Sequence, residues 1–362
     1  MSPALGVASR AGFVIVSMVV VRGDGVTWAW REGILGSMRT SCFVMACLVF
    51  HVGACADSEP ALPAMDAALG AQDAGVDAGH VEPDSGGANR YTARALTGPS
   101  YMGSVNNSAA CSQSYPTRGH EPTSAGTRHP LFLYFVGTAF VSTDPSASYD
   151  NPAPMAVTQA MAERGYVSLS VAYDNGALAW LSDHVNQLAC LFGGNNAQSV
   201  IAAACALPNV DCDLGIATWG HSQGGYVAAM AYNVDVRVSG AWATGYGGDG
   251  AANLPKERLR VVNGEADTSN GQASTLNMIT GLTPNQCPDP DRCLRADGSG
   301  WIIVRRAQLA DPMTGSADHC WFDRPSCGAS MILLEPNWVD RSSTAPFALS
   351  TNADWLAATA RR

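Results

Sequence analysis

A serine between glycines, in Gly220-His221-Ser222-Gln223-Gly224, has the makings of a nucleophile. A serine hydroxyl attacks poorly at its free pKa and needs a base beside it. The G-x-S-x-G pattern is short and arises by chance, so its setting decides its meaning. Residues 214–219 form a short apolar run that reads as a buried strand. Residues 225–232 are Ala-rich and read as a helix. Strand, tight glycine turn and helix together form the setting of a nucleophile elbow. The bland alternative is a glycine-rich turn in an ordinary strand–helix unit, with the serine as a cap.

The stretch Gly220-His221-Ser222-Gln223-Gly224-Gly225 resembles the elbow of the α/β-hydrolase superfamily, in the form used by many bacterial secreted lipases and esterases. The resemblance extends over about residues 125–360 and implies an α/β fold with a mostly parallel central sheet flanked by helices. In that superfamily the triad runs Ser, acid, His along the chain. Of the seven histidines, His319 alone follows Ser222, so the resemblance implies His319 as the general base. Many members carry the acid where a strand ends in Gly-x-x-Asp. Gly264-Glu265-Ala266-Asp267 matches, which implies Asp267, with Glu265 and Asp249 as rivals. The backbone N–H of Gln223, just after the nucleophile, is one implied oxyanion donor. The second comes from the loop after the strand at 130–136. Val136 stands where a histidine is often found, Gly137 is kept, and Thr138 follows. Thr138 is the favoured donor, through its N–H and its hydroxyl, with Gly137 next. His221 is read as structural, its side chain pointing away from Ser222. His184 is read as a satisfied or solvent-facing helix residue.

These groups need a scaffold, and the chain outlines one. Residues 130–136 give the strongest strand signal, followed by a helix at 155–164 and a strand at 166–173. That spacing suits parallel pairing through a crossover. Residues 177–192 repeat leucines and a valine at helical spacing. Later strands are read at 236–244, 258–264 and 301–306, and a closing helix at 353–361. Residues 91–128 are polar and turn-rich, suited to short strands or loops at the sheet edge.

The 362 residues carry a net charge of -10, which argues against nucleic acid as a partner. Residues 1–37 read as a leader with no structural role, and Met38 as the true start. Met38-Arg39, the apolar run 41–52 and Val52-Gly53-Ala54-Cys55 are similar to a lipoprotein signal, with Cys55 the lipidated residue. The rival is an ordinary secretory peptide cut near Ala54 to Ala56. Residues 56–90 are rich in Ala, Asp, Gly and Pro and read as a disordered tether, leaving 91–362 as the catalytic domain. Eight cysteines follow Cys55, an even number that suits disulfides in an exported chain. Two local pairings are expected, Cys287 with Cys293 and Cys320 with Cys327. Metal ligation is disfavoured, since no histidines accompany these cysteines in a metal-site pattern.

The expectation is therefore an exported serine hydrolase acting on a small or polymeric ester, without metal or cofactor, held to a membrane through Cys55. A serine peptidase or amidase on the same fold is one rival. A non-catalytic surface-binding protein is the other.

Overall fold

The computed structural model describes residues 5–10, 13–22, 25–29, 91–124, 126–138, 148–176, 184–193, 196–248, 252–268, 273–310, 317–324, 327 and 332–361. Two compact units divide the chain, residues 1–80 and 81–362. In the first, β1 (Leu5–Arg10), β2 (Phe13–Arg22) and β3 (Gly25–Ala29) form an antiparallel sheet in that order. These strands lie within residues 1–37, the stretch read from sequence as a leader with no structural role. The valines and isoleucine of these runs favour extended backbone.

The second unit begins with β4 (Ala93–Thr97), β5 (Tyr101–Ser104), β6 (Cys111–Tyr115), β7 (Thr117–Pro122) and β8 (Leu131–Phe135). There follow α1 (Pro152–Ala162), β9 (Val167–Val171), α2 (Val185–Phe192), α3 (Val200–Cys205), β10 (Ile216–His221) and α4 (Gln223–Met230). The rest is β11 (Val238–Thr244), β12 (Leu259–Gly264), α5 (Ala273–Thr280), β13 (Arg292–Leu294), β14 (Gly300–Val304), α6 (Pro336–Val339) and α7 (Leu349–Thr359).

Among the described residues these strands build one nine-stranded sheet, ordered β4-β7-β9-β8-β10-β11-β12-β14-β13. In sheet order the strands from β9 to β14 pair in parallel, while β7 pairs antiparallel with β9, β4 antiparallel with β7, and β13 antiparallel with β14. The parallel strands are buried throughout, as expected for strands covered on both faces. At the centre the Trp219 ring of β10 stacks on Trp242 of β11, 4.2 Å between centroids. The strand order, the antiparallel β7 and the sharp turn between β10 and α4 make this an α/β-hydrolase fold.

The serine turn therefore sits at the C-terminal edge of the sheet, where open α/β sheets carry their sites. Four disulfides stitch the unit: Cys111–Cys190, Cys205–Cys212, Cys287–Cys293 and Cys320–Cys327. The last three close short loops, with sequence separations of 7, 6 and 7 residues. Helix α2 covers the last part of the helix expected over residues 177–192. His184 stands at its N-terminal boundary with φ 55°, and residues 177–183, with Leu178 and Leu181, lie outside the described residues.

Candidate active site

Ser222 lies between β10 and α4 with φ 55° and ψ −120°. A non-glycine residue at positive φ costs on the order of 1–3 kcal/mol and persists where the surroundings enforce it. Two contacts do so. The Ser222 N–H donates to the Thr244 carbonyl at the end of β11, 2.8 Å, and the Ser222 carbonyl accepts from the Tyr226 N–H at 3.1 Å. The flanking glycines are required by close approach. A Cβ on Gly220 would stand 2.0 Å from the Gly224 oxygen, and one on Gly224 would stand 2.0 Å from the Phe135 oxygen of β8. Strand, helix and the end of β8 thus meet where no side chain fits.

Two loops bring acid and base together. Asp267 follows β12 and is buried, and its Oδ2 lies 2.7 Å from His319 Nδ1. A carboxylate accepts, so this bond puts the imidazole proton on Nδ1 and leaves the Nε2 lone pair free. The two loops are laced by the Ala266 N–H, which donates to the Ala317 carbonyl at 2.8 Å. Beyond His319, the Asp318 carboxylate accepts from the Cys320 N–H at 2.9 Å and the Cys327 N–H at 3.0 Å. The same side chain therefore holds both ends of the Cys320–Cys327 loop.

Glu265, the nearer rival, is committed elsewhere. It accepts from the Arg306 N–H at 2.6 Å and pairs with Arg305 at 3.0 Å. The Arg306 N–H and the Arg305 guanidinium hold its carboxyl below the usual range. Asp249 lies outside the described residues.

His221 packs against the base. Its side chain does not leave the site: the ring is buried, 4.6 Å from the His319 ring and edge-on to Phe322 at 4.8 Å. Gly245, at φ 61°, makes room for the pair, since a Cβ there would stand 2.7 Å from His319 Cε1 and 2.9 Å from His221 Cε1. Burial and the adjacent His319 push the His221 pKa well down, so it packs as a neutral ring. His184 is buried, with Nδ1 3.0 Å from Gln187 Oε1, and its ring lies against Tyr226.

The loop after β8 runs alongside the turn. A Cβ on Gly137 would stand 3.1 Å from Ser222 Cβ and 3.0 Å from His221 Cδ2. The Thr138 hydroxyl donates to Gln223 Oε1 at 3.0 Å. That hydroxyl proton is thus engaged, which leaves the Thr138 backbone N–H as its available donor, a narrower role than both groups acting together. Among the described residues, neither the Thr138 nor the Gln223 N–H has a protein acceptor. Two N–H groups so placed beside a strained serine are suited to holding a developing oxyanion.

Among the described residues, one group of possible metal ligands comes close together, Asp318, Cys320 and Cys327. Its sulfurs are joined in a disulfide, so no thiolate is left to bind a metal. A groove of about 560 Å³ lies between α1 and α7, lined by Glu163, Arg164, Arg341 and Asp354 among others, and holds none of the residues above. Cys55 lies outside the described residues, and no described helix is long and apolar enough to cross a membrane.

No family model and no curated protein matches the chain. Solved structures do. A dienelactone hydrolase-like promiscuous phosphotriesterase from metagenomic libraries aligns at 14% identity, over 74% of this chain and 96% of its own, with a TM-score of 0.44. An α/β serine hydrolase without lid from Xanthomonas campestris aligns at 14% identity, over 59% of this chain and 83% of its own, with a TM-score of 0.37.

Proposed function

We propose that the chain is an exported serine hydrolase that cleaves carboxylic esters by acyl transfer. The observation that carries this reading is the 2.7 Å bond between buried Asp267 and His319, set beside a serine at positive φ on a strand–helix turn. His319 takes the proton of Ser222 through Nε2, and Ser222 Oγ attacks the ester carbonyl. Asp267 keeps the imidazole in its useful tautomer and stabilises the charged form. The N–H groups of Gln223 and Thr138 hold the oxyanion. His319 then gives its proton to the leaving alcohol, and water attacks the acyl-enzyme by the same route in reverse. Every proton moved belongs to substrate, water, Ser222 or His319, so no cofactor is called for.

The test is hydrolysis of p-nitrophenyl acyl esters against peptide anilides. Ester turnover that disappears in folded Ser222→Ala supports the reading; cleavage of anilides with no ester turnover turns it toward a peptidase or amidase. The four disulfides support an oxidising compartment. We further propose anchoring to a membrane through lipidated Cys55, which intact-mass analysis of native protein checks directly.

A further inference from the structure

We propose that Asn175 is the positioning residue of the oxyanion hole, with Tyr173 as its second support. This rests on the acyl-transfer reading above. Strand β9 ends at Val171, and the residues just past it reach across to the loop after β8. The Asn175 side-chain amide, fully buried, donates from Nδ2 to the Gly137 carbonyl at 2.8 Å. The Tyr173 hydroxyl, also buried, donates to the Val136 carbonyl. Two successive carbonyls of the oxyanion loop are therefore tied to the one segment that follows β9.

The consequence follows from peptide geometry. In a trans peptide the C=O and the following N–H point in opposite directions across one rigid plane. The described peptide bonds include no cis form. Holding the Gly137 carbonyl on Asn175 therefore turns the Thr138 N–H away from Asn175 and fixes its direction. Tyr173 does the same for the Gly137 N–H, one plane earlier. The hold matters here because Gly137 has no Cβ to limit its own rotation. Oxyanion donors act by being oriented before charge develops, within a narrow distance window. On the far side, the Thr138 hydroxyl bond to Gln223 links this plane to the second donor's residue. Asn175 is itself braced: the Asp174 carbonyl before it accepts from Gln187 Nε2, and Asp174 Oδ2 accepts from the Asn106 N–H.

The test is Asn175→Leu, close in size but without a donor, in the full chain. Turnover of a p-nitrophenyl ester is compared with that of its thiono analogue, whose sulfur is a poor hydrogen-bond acceptor. The expected result is a fall in kcat of roughly 10- to 100-fold. KM stays near wild type, the midpoint of the pH–rate profile does not move, and the preference for oxygen over sulfur shrinks with kcat. Tyr173→Phe removes one hydroxyl and should show the same pattern more weakly, which keeps the question answerable if Asn175→Leu does not fold. Unchanged kcat and unchanged oxygen preference in a folded variant overturn the proposal. So does a fall in kcat at constant oxygen preference, which would mark a merely structural residue. Wild-type protein inert toward both esters overturns the acyl-transfer reading, and this proposal with it. An active wild type with unaltered variants overturns this proposal alone.

Discussion

Two of the disulfides close loops of the same length in different places, and that makes a controlled experiment. Cys320–Cys327 and Cys205–Cys212 each span a separation of 7 residues. Loop-closure entropy for such a ring is about 8 cal/mol/K, or roughly 2.5 kcal/mol at 25 °C. Spread over the unfolding entropy of the domain, about 2.1 cal/mol/K per residue for the roughly 270 residues from 91 to 362, this is about 4 °C in Tm. Removing either pair, as Cys320→Ala with Cys327→Ala or Cys205→Ala with Cys212→Ala, should cost the same in stability. The effect on turnover should differ. Cys320 adjoins His319, and the Asp318 carboxylate gathers both half-cystine N–H groups. Cys212 opens the turn before β10, the strand that leads into Ser222, so it stands a strand length of about 20 Å from the chemistry. Misplacing a catalytic group by about 1 Å can cost on the order of 100-fold. The pair beside His319 should therefore lower kcat at least about tenfold, while the distant pair leaves it near wild type. Scanning calorimetry and p-nitrophenyl ester turnover on both variants read the two effects. Equal losses of kcat would refute the idea that this disulfide positions the base.

Asp267→Asn should lower kcat by about 10⁴-fold with a small change in KM, because an amide favours the wrong histidine tautomer; steady-state kinetics checks it. Gly224→Ala should lower Tm and abolish ester turnover together, since its Cβ would fall 2.0 Å from the Phe135 oxygen and overpacking costs about 1–3 kcal/mol or more. Glu265→Gln should keep its ester turnover yet melt below wild type at pH 7. Glu265 has a depressed folded pKa, so its stabilising effect is present above the unfolded value of about 4.3 and is lost as pH falls through the folded value. The Tm gap should therefore close in acid.

Strand β8 was legible because five consecutive apolar residues are what a strand buried on both faces requires. Strand β10 runs two residues past its apolar stretch, since Gly220 and His221 stay paired with Phe135 and Thr244. Helix α4 begins at Gln223, inside two glycines that propensity alone would exclude; close approach to β8 outweighs the cost. Strand β13 has three residues and no readable period, and it exists through pairing with β14. The local disulfides Cys287–Cys293 and Cys320–Cys327 were readable from short spacing, while Cys111–Cys190, 79 residues apart, was not. Asn175 reaches a carbonyl 38 residues away, and no local pattern encodes that. A faint signal existed in polar residues just past the C-terminal end of a buried strand, the edge where open α/β sheets place their ligands.

The most direct measurement is peptide mapping of the folded wild-type protein after reaction with a fluorophosphonate, which labels activated serines. One label per chain on Ser222, absent from Ser222→Ala, is expected. A folded protein that takes up no label, or carries it on another residue, would contradict a serine nucleophile at this turn.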